Sequence, residues 1–175
     1  IYCGPLLLNI NPGPDRVDDY LNLANWMQKN SGTPYTKWKP HLYTMMNNVY
    51  HTLIKEKKDQ AVSFIGQIGS GKTFNLVHSL EYFCFFYAPE GMQMDFFEKM
   101  HKSMQLMHIM GSVFRENNVE SSSCGINLKM GFDENFKICN FDIESKLIDF
   151  TLPFSESGRS FSILHSLVTG ASPEI

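Results

Sequence analysis

One ten-residue stretch, Gly66-Gln-Ile-Gly-Ser-Gly-Lys-Thr-Phe-Asn75, has the residue types and spacing of a phosphate-binding loop. Gly66, Gly71, Lys72 and Thr73 satisfy G-x-x-x-x-G-K-[ST]. Glycines let the backbone curl so that successive N–H groups point at one centre, where phosphate oxygens sit. Gln67, Ile68, Gly69 and Ser70 complete that curl. Lys72 is the residue to reach the β- and γ-phosphates of a nucleoside triphosphate, and the Thr73 hydroxyl is the ligand for Mg²⁺. The chemistry implied is Mg-nucleotide binding, with ATP as the ligand.

Such a loop works only between a strand and the start of a helix, whose positive end adds to the attraction. Ala61 to Ile65 (AVSFI) is a short apolar run that predicts the strand. Thr73 to Phe86 predicts the helix, with Leu76, Leu80 and Phe83 at helical spacing. Upstream, Pro5 to Ile10 reads as a strand ended by Asn11-Pro12-Gly13-Pro14. Asp15 can cap a helix to about Lys29, with Val17, Leu21 and Ala24 on one face. A second helix follows Pro40, with Leu42, Met45 or Met46, Val49 and Leu53 inward. Met94 to Met110 reads as a further helix. Arg115 to Cys124 is polar. Ile126, Leu128, Met130 and Phe132 alternate as in a half-buried strand, Asp133-Glu134-Asn135 turns, and Phe136 to Ile143 returns as a hairpin partner. Lys146 to Leu152 reads as another strand, Pro153 to Gly158 as a loop and Arg159 to Val168 as a helix. The order implies an α/β fold, helices around a mixed sheet with an antiparallel hairpin appended.

Composition narrows the classes. Apolar residues make up 43% of the 175 and charged residues 19%, which is globular rather than disordered. A net charge of -3 gives no overall field for nucleic acid or acidic membrane. The longest apolar run, Tyr82 to Ala88, is too short to span a bilayer. Cys3, Cys84, Cys124 and Cys139 have no paired spacing and read as reduced thiols of an intracellular protein. The chain starts at Ile1 without a methionine, as a piece of something longer would. Met100, Met104, Met107 and Met110 form a stripe best explained as a packed face. His101 and His108 lack a third metal ligand.

Six landmarks in order resemble the first part of a myosin motor head, and the match runs nearly end to end. Gly4 to Pro12 (GPLLLNINP) resembles the strand and Asn-Pro that open the purine loop. Lys39-Pro40-His41-Leu42-Tyr43 resembles a helix opening, and the phosphate loop follows. Met110-Gly111-Ser112 resembles the Phe-Gly-Asn before switch I. Ser121-Ser122-Ser123-Cys124-Gly125 sits where myosins carry Ser-Ser-Arg-Phe-Gly. Gly158 to His165 resembles Glu-Arg-Ser-Phe-His-Ile-Phe-Tyr, and the hairpin before it resembles the transducer strands. The resemblance implies one domain over 1–175, the N-terminal part of a motor domain with a P-loop at 66–73 and a switch I-like segment at 118–125. It further implies Asn11, Pro12 and Asn118 as nucleotide-binding, Ser121 and Ser122 as catalytic hydroxyls, and Thr73 with Ser122 as Mg²⁺ ligands. Actin filaments as a partner and a cytoplasmic, cytoskeletal location follow from resemblance alone.

Three alternatives stand beside it, one of them an unrelated P-loop kinase or ATPase, which explains only Gly66 to Thr73. "GQIGSGKT" is close to the kinesin loop, but kinesins place switch I much later and have no Asn-Pro loop upstream. A non-enzymatic module could keep the fold without turnover, and the departures from the family pattern bear on that reading. Glu120 replaces the second switch I asparagine, and Ser123 stands where the family arginine pairs with a switch II glutamate. A serine cannot make that charge-assisted fork, and Arg115 is the nearby candidate to stand in for it. No lysine follows Asn11-Pro12 to frame an adenine; Tyr20 is the aromatic left for that role. The expectation is that binding survives and turnover is impaired.

Overall fold

Tyr2–Cys3 (β1) and Leu6–Leu7 (β2) pair antiparallel, turning through Gly4, whose φ of 59° suits a residue without Cβ. A computed structural model of the chain describes residues 1–11, 21–115, 118–122, 124–146 and 162–170. The strand expected over Pro5 to Ile10 is thus only two residues long, because the chain spends its ladder on a tight hairpin and then leaves it. The chain divides into two units, Ile1–Tyr87 and Ala88–Ile175.

Among the described residues of the first unit the helices are α1 (Leu23–Asn30), α2 (Leu42–Glu56) and α3 (Lys72–Tyr87), with a 3-10 turn at Tyr35–Lys37. Of the helix expected from Asp15 to about Lys29, residues 15–20 lie outside the described residues, and the described helix begins only at Leu23. Asn22 is extended (φ -75°, ψ 108°), and its side chain accepts the Asn25 N–H at 3.0 Å, so it caps a helix that begins at Leu23. The buried face is consequently Leu23 and Trp26, and Ala24 is exposed. His41 caps α2 through Nδ1, which accepts the Tyr43 N–H at 3.1 Å. Lys57, in the left-handed region at φ 50°, ends it.

The core of this unit is Leu21, Leu23, Trp26, Leu42, Tyr43, Met46 and Tyr82. Each large apolar side chain buried there contributes about 1.5–3 kcal/mol. Trp26 stands edge-on to Trp38, Tyr43 and Tyr82. The Tyr43 hydroxyl donates to the Leu21 carbonyl at 2.6 Å, so the ring can be buried without stranding its polar end. Burial raises the Tyr43 and Tyr82 phenols well above their ordinary value.

The strand expected at Ala61 to Ile65 is not a strand. Its alternation survives: Val62 and Phe64 pack against the core, while Ala61, Ser63 and Ile65 face outward, Ile65 at 89% exposure. What is missing among the described residues is a ladder partner, and without one an extended segment is not a sheet. Among its described residues the first unit therefore shows α-helices and one small hairpin, and the expected mixed sheet is not seen there.

Among its described residues the second unit holds α4 (Gln93–Met110), α5 (Ser162–Gly170) and two antiparallel pairs. Met100 and Met104 are fully buried, whereas Met110 is exposed, so the methionine stripe packs over only part of its length. His101 stacks on Phe97, and no cluster of metal-ligating side chains occurs among the described residues. Ser112–Arg115 (β3) and Asn118–Ser122 (β4) pair through a register shift, in a segment the sequence marks only as polar. Gly125–Phe132 (β5) pairs with Ile138–Lys146 (β6) as expected. Its turn is organised by Asp133, whose Oδ1 accepts the N–H groups of Asn135 and Lys137, both at 2.8 Å. Lys146 ends β6, and the strand, loop and helix start expected over 147–161 lie outside the described residues.

Candidate nucleotide site

The phosphate-loop sequence folds as a curl at the start of α3. Gly69 and Gly71 have φ of 78° and 89°, a region that costs other residues about 1–2 kcal/mol. Gly66 matters for a different reason. A Cβ there would lie 2.6 Å from the Ser70 hydroxyl and 3.4 Å from the Ser70 Cβ, so that hydroxyl would have to swing away. The Ser70 N–H bonds the Gln67 carbonyl at 3.2 Å, making the turn. Gln67, Ile68, Gly69 and Ser70 are exposed along it.

Lys72 is the first residue of α3, and its ammonium stays at the loop. It donates to the Gly66 carbonyl at 2.9 Å and the Gln67 carbonyl at 2.7 Å. The Asn75 N–H to Gly71 carbonyl bond, 2.9 Å, opens the helix. Lys72 and Thr73 thus occupy the first turn, whose backbone N–H groups form the positive end of the helix. A cation and a helix N-terminus meet at one curl, a donor set suited to a polyphosphate. Thr73 in the same turn has a hydroxyl of the hard oxygen type that could hold Mg²⁺, which is usually bound by one or two protein oxygens plus substrate phosphate.

Asn11 belongs to this group: its Nδ2 donates to the Gly69 carbonyl at 3.3 Å. Sequence reasoning named Asn11 and missed two neighbours. Asn9 Nδ2 donates to Asn75 Oδ1 at 2.6 Å, and Asn75 Nδ2 donates to the Gly71 carbonyl at 2.8 Å. The available signals were an asparagine one helical turn after Gly71 and a second asparagine two residues before Asn11. Pro12 and Tyr20 lie outside the described residues.

Asn118, Ser121 and Ser122 belong to the second unit, on β4. Asn118 pairs with Arg115, Ser121 with Val113 and Ser122 with Ser112. Ser123 is outside the described residues. The segment approaching β3 is tightly built. Gly111 closes α4 by donating to the Met107 and His108 carbonyls, and a Cβ on it would overlap the Cys124 sulfur.

The family model for the myosin head (motor domain) matches residues 1–175. Unconventional myosin-Va of Rattus norvegicus is 24% identical over 97% of this chain and 9% of its own length. Myosin-51 of Schizosaccharomyces pombe is 26% identical over 99% of this chain and 12% of its own length. Myosin-2 of Arabidopsis thaliana is 25% identical over 97% and 13%. The chain therefore spans about a tenth of the length of the curated relatives it matches. With the family model covering every residue and the phosphate-loop curl present in the first unit, the chain belongs to the myosin head (motor domain) family.

Proposed function

We propose that this chain is the ATP-binding part of a myosin-type motor domain. The observation that carries the reading is the Gly66–Thr73 curl at the N-terminus of α3, with left-handed Gly69 and Gly71 and with Lys72 held over it. Gly66 to Thr73 and Asn11 bind Mg-nucleotide, and Thr73 ligates the metal. Mg²⁺ supplies charge neutralisation at the phosphates. Ser121 and Ser122 are, by family resemblance, the switch I-like hydroxyls of the second unit. A titration with a fluorescent ATP analogue in Mg²⁺ tests this: Lys72→Ala should abolish binding, and equal affinity in the variant would overturn the reading.

Hydrolysis is slow in this proposal. Phosphoryl transfer depends on positioning and charge stabilisation. Glu120 places a carboxylate in the switch I-like segment, and Ser123 removes the cation that closes it in the family. These same two positions favour the second reading, a nucleotide-holding interaction module without turnover. Actin is the partner and the cytoskeleton the location on family grounds. No helix among the described residues is long and apolar enough to cross a membrane.

A further inference from the structure

We propose that Asn75 is a positioning residue of the phosphate loop, linking Asn9 to Gly71 so that the segment Asn9–Asn11 and the loop are held as one piece. The Asn75 side chain uses both ends of its amide. The Gly71 carbonyl can only accept, so the NH₂ faces it, at 2.8 Å. That leaves Oδ1 for Asn9, whose own NH₂ donates at 2.6 Å. Asn11 makes a parallel tie to the Gly69 carbonyl at 3.3 Å. Both asparagines converge on the same point: a Cβ on Gly71 would lie 3.6 Å from Asn75 Nδ2 and 3.9 Å from Asn11 Nδ2.

The consequence for the site follows from peptide planarity. The carbonyl of Gly71 and the N–H of Lys72 belong to one rigid unit and point in opposite directions. Two donors from Asn75, its backbone N–H at 2.9 Å and its side chain, pull that carbonyl toward the helix. The Lys72 N–H is thereby aimed at the centre of the curl, where a phosphate oxygen would accept it. Asn9 holds the Asn75 amide in the one orientation that does this. Aspartate at 75 lacks the donor and leucine lacks both groups, so an amide is the side chain that fits.

The affinity arm of the test rests on the proposed nucleotide function; the exchange arm does not. Amide hydrogen exchange of residues 66–73 is measured in the absence of nucleotide, and affinity for a fluorescent ADP analogue is measured in Mg²⁺. The proteins are wild type, Asn9→Ala, Asn9→Gln, Asn9→Asp, Asn75→Ala and the double alanine variant. Each single alanine should speed exchange in the loop and weaken binding by roughly threefold to tenfold, the range of one lost hydrogen bond. The double variant should be no worse than the worse single one, because one connection is broken either way. Asn9→Gln keeps a donor and should restore protection. Asn9→Asp sets two acceptors against each other and should be worse than Asn9→Ala even without nucleotide. Unchanged loop exchange in Asn9→Ala, or additive effects in the double variant, overturns the proposal. If Asn75→Ala does not fold, the three Asn9 variants decide it alone. If Lys72→Ala leaves analogue binding intact, the nucleotide reading falls while loop exchange still decides the Asn9–Asn75 linkage.

Discussion

Tyr82 on α3 donates its hydroxyl proton to Asn47 Oδ1 on α2 at 3.0 Å, in the core of the first unit. Tyr82 is 1% exposed and Asn47 5%, and the Asn47 NH₂ has no hydrogen-bond partner among the described residues. The two helices that frame the phosphate loop are therefore joined by a polar contact that is only half satisfied. Tyr82→Phe should lower stability by about 1–3 kcal/mol, since the buried Asn47 loses its remaining side-chain partner. Adding Asn47→Leu should return most of that loss, because both polar groups are then gone together. Urea unfolding of the single and double variants checks it. A double variant less stable than Tyr82→Phe would show that Asn47 is held by something other than Tyr82.

The β5–β6 hairpin should be acid-sensitive in a defined window. Lys129 and Lys146 each bond Glu144 at 2.7 Å and hold its carboxyl down to about 2 from an ordinary 4.5. A lowered folded-state value means that the ion pairs contribute fully above about pH 4.5 and are lost as pH falls toward 2. The melting midpoint should fall across that window in wild type and more shallowly in Glu144→Gln. Because the carboxylate is exposed, high salt should flatten the wild-type slope. Identical slopes for the two proteins at low salt would count against the pairing.

The four cysteines should separate by reactivity. Cys3 and Cys139 are exposed, while Cys84 and Cys124 are buried. Burial also pushes the Cys84 thiol up to about 12 from 9.0, which suppresses the thiolate that reacts. A maleimide at neutral pH should label Cys3 and Cys139 quickly in the native protein, and all four in denaturant. Rapid native labelling of Cys84 would mean that α3 packs differently from the account above.

Restoring the family pattern in the switch I-like segment should raise turnover. A charge-assisted pair is worth about 1.5–3 kcal/mol, roughly ten- to a hundredfold in rate if fully expressed in the transition state. Ser123→Arg with Glu120→Asn should speed single-turnover hydrolysis by that order, with nucleotide affinity changed less. The measurement requires a switch II glutamate elsewhere in the protein. No gain in rate would show that another group, Arg115 being the nearest in sequence, already does the work of the missing arginine.

What could be read from the sequence was what the backbone enforces locally. Gly69 and Gly71 announced the curl because their conformations exclude most other residues, and Leu76 and Leu80 announced the helix behind it. Asp133 announced the hairpin turn by a side chain that satisfies its own neighbours. Ala61 to Ile65 misled because alternation reports which residues face a core, while a strand also needs a partner that alternation does not name. The span Asp15 to Lys29 misled because apolar spacing runs straight through Asn22, which is the N-cap of a helix that begins at Leu23. Val113 and Ser121 pair in a segment too polar to signal a strand. Asn75 went unnoticed because its place one helical turn after Gly71 assigns it no role by itself; that role depends on Asn9, 66 residues away.

That separation bears on the order in which the molecule assembles. Among the described residues the three sheets pair near neighbours in sequence, and hairpins of this kind form in about 1–10 μs. The frame of the phosphate loop is different. Asn9 must meet Asn75 across 66 residues and Asn11 must meet Gly69 across 58, and the entropy of closing such loops has to be met before either bond returns anything. The hairpins and single helices can thus mature first, while the curl acquires its fixed shape among the last events of folding. A polyphosphate that recognises only the finished curl would then draw the chain through this closing step.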